Sequence, residues 1–400
     1  MHINFAMWRK ASWQLIKMDD KKEWDALDVV SKWLIATRSA VTLVTVYSCV
    51  IAGILAARDG HFSWVPFLIV TLGLFIAHGT NNILNDYTDF NRGVDRDNYF
   101  RTQYGVHPLV QKFWDNSTSI RWFLVSGLLA TLSGIYALFY TKFSMTTIGL
   151  FAFGAVVLLA YTYPFKYWGL GEFAIFLIWG PIMITGVYFV LSGIWNWNVV
   201  LAGIPFGLSV ASINIAKHID KHDPDKEKGV GTFPVRVGEA NARRVNQIAI
   251  ILIYVVIAYL VFVPRYFTPV MLIIFLAYKE ALMILGVMNK PKPAQAPEGW
   301  PAWPIWFSGF AFQHNRKFGG LLIVGLILDA LLRTFLPTFW PGAVLKIKKK
   351  REKKRGAGSW GFFLLYSHLL LTTISSTSSH ASSFFKTPNE IFPSGVNAAN

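Results

Sequence analysis

The chain has 400 residues, of which 54% are hydrophobic, 16% aromatic and only 15% charged, and its mean hydropathy is +0.41. That excludes an ordinary soluble domain, where about a quarter of residues are charged. The net charge of +16 does not indicate nucleic acid: the block 346–355 holds eight basic residues and one Glu, and the rest is spread over loops between apolar runs.

Residues 1–30 contain Asp19, Asp20, Glu23 and Asp25 and no cleavage site behind an apolar core. They read as a short cytoplasmic N-terminal segment, amphipathic in pattern, and not as a secretory signal. Apolar runs then recur at 34–57, 64–85, 120–141, 145–163, 173–193, 198–217, 246–263, 267–289 and 317–337. Each is long enough to cross a bilayer, which predicts an all-α polytopic transmembrane bundle of about nine spans over 31–338. Residues 339–400 are basic and then Ser/Thr-rich, and are expected to be disordered. The single cysteine, Cys49, lies in the first run and allows neither an internal disulfide nor a thiolate metal site.

Basic residues concentrate in the N-terminal segment (Lys21, Lys22), the second-to-third loop (Arg92, Arg96, Arg101, Lys112) and the sixth-to-seventh loop (Lys221, Lys226, Lys228, Arg236). The loops on the opposite side hold about one each, Arg58, Lys142 and Arg265. The positive-inside rule therefore places the first group in the cytoplasm.

Two acidic clusters lie on that side, each directly behind an apolar run. The first reads Asn85-Asp86-Tyr87-Thr88-Asp89, followed by Gly93 and Asp95; the second holds Asp220, Asp223 and Asp225. Carboxylates this close to hydrocarbon are costly unless something compensates them. Mg²⁺ suits such hard oxygens, and it usually reaches its substrate through phosphate. In a helix Asp86 and Asp89 share a face, as do Asn82 and Asp86. Asn85 can add a neutral oxygen, and Gly93 can turn Asp95 back toward the same ion. Asn214, Lys217 and Asp220 recur every three residues, again on one face. The expected metal ligands are Asp86, Asp89, Asp95, Asp220, Asp223 and Asp225. Asp86, Asp89, Asp220 and Asp225 are expected to be catalytic as well. His218 and His222 are four apart, but no further His or Cys cluster completes a zinc site.

These residues resemble the UbiA superfamily of intramembrane aromatic prenyltransferases. The resemblance covers about residues 30–337. Asn85-Asp86-Tyr87-Thr88-Asp89-x-x-x-Gly93-x-Asp95 is similar to the menaquinone-pathway, dihydroxynaphthoate branch. The second cluster, running on through Gly229 and Thr232 to Gly238, resembles the family's second Asp-rich loop, as Tyr161 to Lys166 and Gly169 to Glu172 resemble its fourth-to-fifth connection. Two departures stand out in the second loop: Lys221 occupies the place of an expected acid, and Val230 that of a lysine. The stretch after Asp95, through Arg101 and His107, also differs from the branch.

The resemblance implies transfer of a prenyl group from an isoprenoid diphosphate to an aromatic acceptor, with Mg²⁺ as cofactor. It puts the chain in a bacterial or archaeal cell membrane, in a lipid bilayer, with no obligate protein partner. Asn82, Asn85, Asn214, Lys217, Arg101, Lys228, Tyr161, Lys166 and Arg38 are the expected substrate contacts. Arg38 is otherwise a snorkelling interfacial anchor. Tyr87, Tyr161, Tyr163, Tyr188 and Trp179 offer aromatic faces to an allylic cation. The leading acceptor is 1,4-dihydroxy-2-naphthoate; 4-hydroxybenzoate, homogentisate and a glycerol-phosphate lipid follow. An ion-coupled secondary transporter is the competing class, but it would place acids near mid-span. A lipid-binding scaffold leaves both acidic clusters unexplained.

Overall fold

The computed structural model describes residues 3–96, 105–298, 300, 303–336 and 340. Arg101 and the tail from 341 onward therefore lie outside the described residues. Among the described residues all regular structure is helical. Nine helices among the described residues are long and apolar enough to cross a membrane: Ser39–Arg58, Trp64–Asn91, Asn116–Tyr140, Met145–Lys166, Gly171–Ser192, Trp197–Asp220, Glu239–Phe262, Pro269–Val287 and Phe307–Phe335.

Span six, Trp197–Asp220, is the centre of the bundle. Its apolar window is 78% buried, against 11% for span three, whose Leu124, Leu128, Leu132 and Phe139 point outward. In a bilayer that outward face is solvated by lipid, so it needs no further cover. Spans five and six approach at small residues: a Cβ on Gly180 would stand 2.7 Å from the Gly203 carbonyl oxygen and from Gly207 Cα. Close backbone approach replaces the hydrophobic drive that lipid removes.

Two of the boundaries that differ from the hydropathy pattern matter for the site. Span one begins at Ser39 and not at 34, because Arg38 takes a left-handed conformation (φ 59, ψ 51) and separates it from the helix Val29–Ala36. Span nine begins ten residues before 317. Its first turns carry Gln313-His314-Asn315-Arg316-Lys317, which lowers local hydropathy without interrupting the helix.

The N-terminal residues are packed. Helices Phe5–Trp13, Lys21–Ala26 and Val29–Ala36 bury Ala11, Ile16, Met18, Trp24 and Leu34 with Val106 and Phe113 of the second-to-third loop. The Trp24 and Phe113 rings stack at 5.1 Å. Asp28 caps the third of these helices, accepting from the amides of Val30 and Ser31 and from Trp8 Nε1.

At the end of span one away from the acidic clusters, Arg58 is buried between Asp59 (3.0 Å) and Asp329 of span nine (3.3 Å). Its guanidinium lies 4.3 Å from the centre of the Tyr266 ring. Tyr188 Oη donates to Asp59 at 2.8 Å, which places Tyr188 at this far end and not among the aromatic residues near the acids.

Candidate active site

Span two runs through the first acidic motif without a break, so Asn82, Asn85, Asp86 and Asp89 are all helical. Asp86 and Asp89 are buried, 5% and 3% exposed. The helix stops at Asn91, and Gly93 adopts a φ of +80 that an L side chain rarely tolerates. The resulting turn sends the amides of Val94 and Asp95 back to the Asp89 carbonyl at 2.8 and 3.4 Å. Asp95 is thereby folded under the motif.

Arg38 reaches this helix from the preceding turn. Its Nη2 donates to Asp86 Oδ1 at 3.2 Å and to the Asn82 carbonyl at 3.4 Å, while Asn82 Nδ2 donates to the Thr37 carbonyl at 2.7 Å. A left-handed non-glycine residue costs on the order of 1 kcal/mol or more, and such strain collects at functional sites. Here it turns the guanidinium onto a motif aspartate, which replaces the anchor reading of Arg38.

Lys166 comes from the last turn of span four. Its Nζ donates to Asp89 Oδ2 at 2.6 Å, and it lies within Coulombic range of Asp225 and Asp95. Asn85 Nδ2 is shared between Asp89 Oδ2 (3.1 Å) and Thr162 Oγ1 (3.2 Å). Tyr161 sits among the charges of Glu172, Lys166, Asp89 and Arg38.

The second motif joins the first directly. Lys228 Nζ donates to the Val94 carbonyl at 2.6 Å. Asp225, 2% exposed, is paired with Lys221 at 3.5 Å. Lys217 has no ion pair among the described residues, and the charges around it are Lys221, Arg38, Lys166 and Asp225. Asn214 is buried with its Nδ2 unbonded. Asp95 lies outside the spans. Burial pushes its pKa up, but the His107 hydrogen bond and the charges of Lys221 and Lys166 outweigh that and hold the carboxyl well below its ordinary range.

Two expected ligands are elsewhere. Asp220 accepts from the amides of Trp306, Phe307 and Ser308 at 3.0–3.1 Å and from Ser308 Oγ at 2.7 Å. Both oxygens are used to cap span nine, so in this structure Asp220 serves as a helix cap. The side chain of Asp223 is 86% exposed and paired with His222. Periodicity placed Asp220 on the right helix face but could not show that amides 86 residues away would take it. Lys221 was missed as a site residue, although its four-residue spacing to Asp225 is the signal for such a pair. His107, bonded to Asp95, and the buried pair Glu172–His218 were missed as well.

The donor set can be tested against Mg²⁺. Among the described residues no three His, Cys, Asp or Glu side chains converge as a ready cage. Mg²⁺ does not need one, since it takes one or two carboxylates plus substrate phosphates and water. Asp89 Oδ1 is buried and has no hydrogen-bond partner, so a hard oxygen is left over at the motif's centre. Asp86, Asp89, Asp95 and Asp225 fit the ion on those terms.

Residues 46–297, more than half of the chain, match the model of the UbiA prenyltransferase family. The chain belongs to that family. It is 27% identical over 238 residues to a 2-carboxy-1,4-naphthoquinone phytyltransferase of Synechocystis, covering 56% of this chain and 72% of that protein. It is 25% identical over 272 residues to a 1,4-dihydroxy-2-naphthoate octaprenyltransferase of Bacillus subtilis, covering 66% and 81%. An apo UbiA homolog from Aeropyrum pernix superposes with a TM-score of 0.53 at 16% identity, covering 71% of this chain and 97% of that one; that likeness concerns the fold. This UbiA-family chain is a multi-pass membrane protein and a prenyltransferase.

Proposed function

We propose that this UbiA-family enzyme transfers the prenyl group of a prenyl diphosphate to 1,4-dihydroxy-2-naphthoate, in a bacterial or archaeal cell membrane, with the acidic clusters facing the cytoplasm. The observation that carries the diphosphate assignment is the cluster of Arg38, Lys166, Lys217 and Lys221 at one span end, with Lys217 lacking an acidic partner among the described residues. A half-buried ammonium without an acidic partner is costly, and an anionic substrate relieves it. The naphthoate assignment is supported by the names of both relatives quoted above, and orientation by the basic loops.

Asp86, Asp89, Asp95 and Asp225 would hold Mg²⁺, which when bound neutralises the diphosphate as it leaves. Lys217 binds the phosphate oxygens. Lys166 and Arg38 pair with Asp89 and Asp86, and Asn85, tied to Thr162, fixes the rotamer of Asp89. As the bond between the allylic carbon and diphosphate oxygen breaks, Tyr161 presents a ring to the developing cation within a site closed to bulk water. The aromatic acceptor carbon then bonds to the allylic carbon, and that acceptor carbon loses a proton or its carboxylate as CO₂.

The test is turnover of the purified, lipid-reconstituted protein with labelled prenyl diphosphates. The acceptors are 1,4-dihydroxy-2-naphthoate, 4-hydroxybenzoate, homogentisate and glycerol phosphate. A prenylated 1,4-dihydroxynaphthalene (the quinol) in Mg²⁺, and none in EDTA, is the expected result. Full turnover in chelator overturns the metal-diphosphate reading, and preference for another acceptor overturns the naphthoate assignment.

A further inference from the structure

His107 lies twelve residues past Asp95, in a stretch that departs from the family pattern, yet it is 1% exposed and its Nε2 lies 3.2 Å from Asp95 Oδ2. Its Nδ1 faces the Val110 amide at 3.5 Å. An amide can only donate, so Nδ1 is the acceptor and Nε2 carries the proton that Asp95 receives. The His107 amide in turn donates to Gln111 Oε1 at 2.8 Å. Gln111 Nε2 donates to the Met18 carbonyl at 2.7 Å and to Asp19 Oδ1 at 2.9 Å, and the Val106 amide donates to the Ile16 carbonyl at 3.1 Å. Trp24 stacked on Phe113 closes the same contact with apolar surface. The N-terminal segment is thus joined through one short loop to the last carboxylate of the first motif.

We infer that His107 is a positioning residue for Asp95, and that residues 16–24 form a strap holding His107 in place. The inference rests on the diphosphate-and-Mg²⁺ reading above and adds what aims its third carboxylate. Asp95 follows a glycine turn and sits on no helix; the Asp89 carbonyl holds its backbone, but no helix sets its side-chain direction as one does for Asp86 and Asp89. A hydrogen bond from a buried imidazole supplies that direction. Partners of this kind behind a metal-binding carboxylate change metal affinity or activity by about 10–100-fold when removed.

The experiment uses the full chain in lipid nanodiscs. Mn²⁺ binding is followed by its electron paramagnetic resonance signal with a non-reactive prenyl thiodiphosphate present, alongside KM, kcat and Tm. His107→Ala should weaken Mn²⁺ binding about 10–100-fold and raise KM for the diphosphate. His107→Gln, which keeps an N–H at similar reach, should recover most of the affinity. Gln111→Ala, which cuts the tie to Met18 and Asp19, should move Mn²⁺ affinity in the same direction by less. Unchanged Mn²⁺ affinity in His107→Ala, whether or not Tm falls, overturns the inference. If that variant does not fold, unchanged affinity in Gln111→Ala overturns it instead. A wild-type protein that binds no Mn²⁺ with the thiodiphosphate would sink the diphosphate reading itself, a different result from a wild type that binds and variants that match it.

Discussion

Arg58 and Lys166 are both buried cations at the ends of spans, and each faces a carboxylate brought by another span. Around Arg58 every ionised group is matched. Asp329 takes Arg58, Arg333 and the Thr268 amide, and Asp59 takes Arg58 and Tyr188. The polar atoms left over there are neutral hydroxyls, Tyr266 Oη and Thr268 Oγ1. Around Lys166 the remainder is different: a carboxylate oxygen of Asp89, one of Glu172, the amide nitrogen of Asn214, and a Lys217 without an ion pair among the described residues. A closed polar network holds the chain together, whereas an open one has capacity left for a ligand. The same chemistry is closed at one end and open at the other.

That contrast breaks if the two ends respond alike to mutation. Asp329→Ala takes one carboxylate from Arg58 and removes the cap on the Thr268 amide. Loss of one partner of a buried pair costs about 3–5 kcal/mol. Thermal unfolding in lipid should show that loss, while kcat of the folded fraction stays at the wild-type level. Asp89→Ala also takes the partner from a buried cation, Lys166, but unlike Asp329→Ala it should cost activity in the folded fraction. Turnover is expected to drop about a hundredfold or more, equivalent to about 3 kcal/mol of transition-state stabilisation, with insertion and purification intact. Asp86→Ala and Asp225→Ala belong to the same group. A destabilised but fully active Asp89→Ala would mean that both ends are structural.

Asp220 sharpens the comparison because it stands near the open network but is itself closed. Asp220→Ala should lower stability by about 2 kcal/mol, the upper range for a helix cap. The concentration of Mg²⁺ needed for half-maximal activity should not move. A rise in that concentration would return Asp220 to the metal site. Lys217→Met is the complementary case: with no partner to lose, the protein should be no less stable. KM for the prenyl diphosphate should rise about tenfold, the value of one charge-assisted hydrogen bond of about 1.4 kcal/mol. An unchanged KM would remove Lys217 from the phosphate contacts.

The spans were legible in the sequence because an uninterrupted stretch such as Trp64 to Leu84 has one favourable solution in a bilayer. The first motif was legible for a related reason: it continues span two, and helical spacing then fixes which side chains share a face. Spacing alone says nothing about what stands opposite that face. Asp220 and Asp225 looked alike as acids at a span end, and only the amides of Trp306 to Ser308 separate them. The pattern left Arg38 open between substrate contact and interfacial anchor, because its left-handed turn is not encoded by a glycine or asparagine. Lys221 looked like a lost acid, yet it pairs with Asp225, so the second loop carries fewer negative charges than its relatives' pattern suggests.

The smallest expected effect concerns the N-terminal helices, which hold the loop beside the open network. Asp28 is 7% exposed. Burial pushes its pKa up, but hydrogen bonds from Ser31 and Trp8 outweigh that and bring it down to about 2, from an ordinary 3.8. A carboxyl whose folded pKa is depressed contributes stability that is fully present above its unfolded value and is lost as pH falls through the folded one. Acidification from about pH 4 to pH 2 should therefore loosen this segment, and tryptophan fluorescence can follow it, because Trp8 donates directly to Asp28. Asp28→Asn keeps an acceptor but cannot titrate, so its fluorescence should lose the Asp28 step in that window and start about 1 kcal/mol less stable. The step persisting in Asp28→Asn would assign it to other carboxylates and leave the cap without a role in holding the segment.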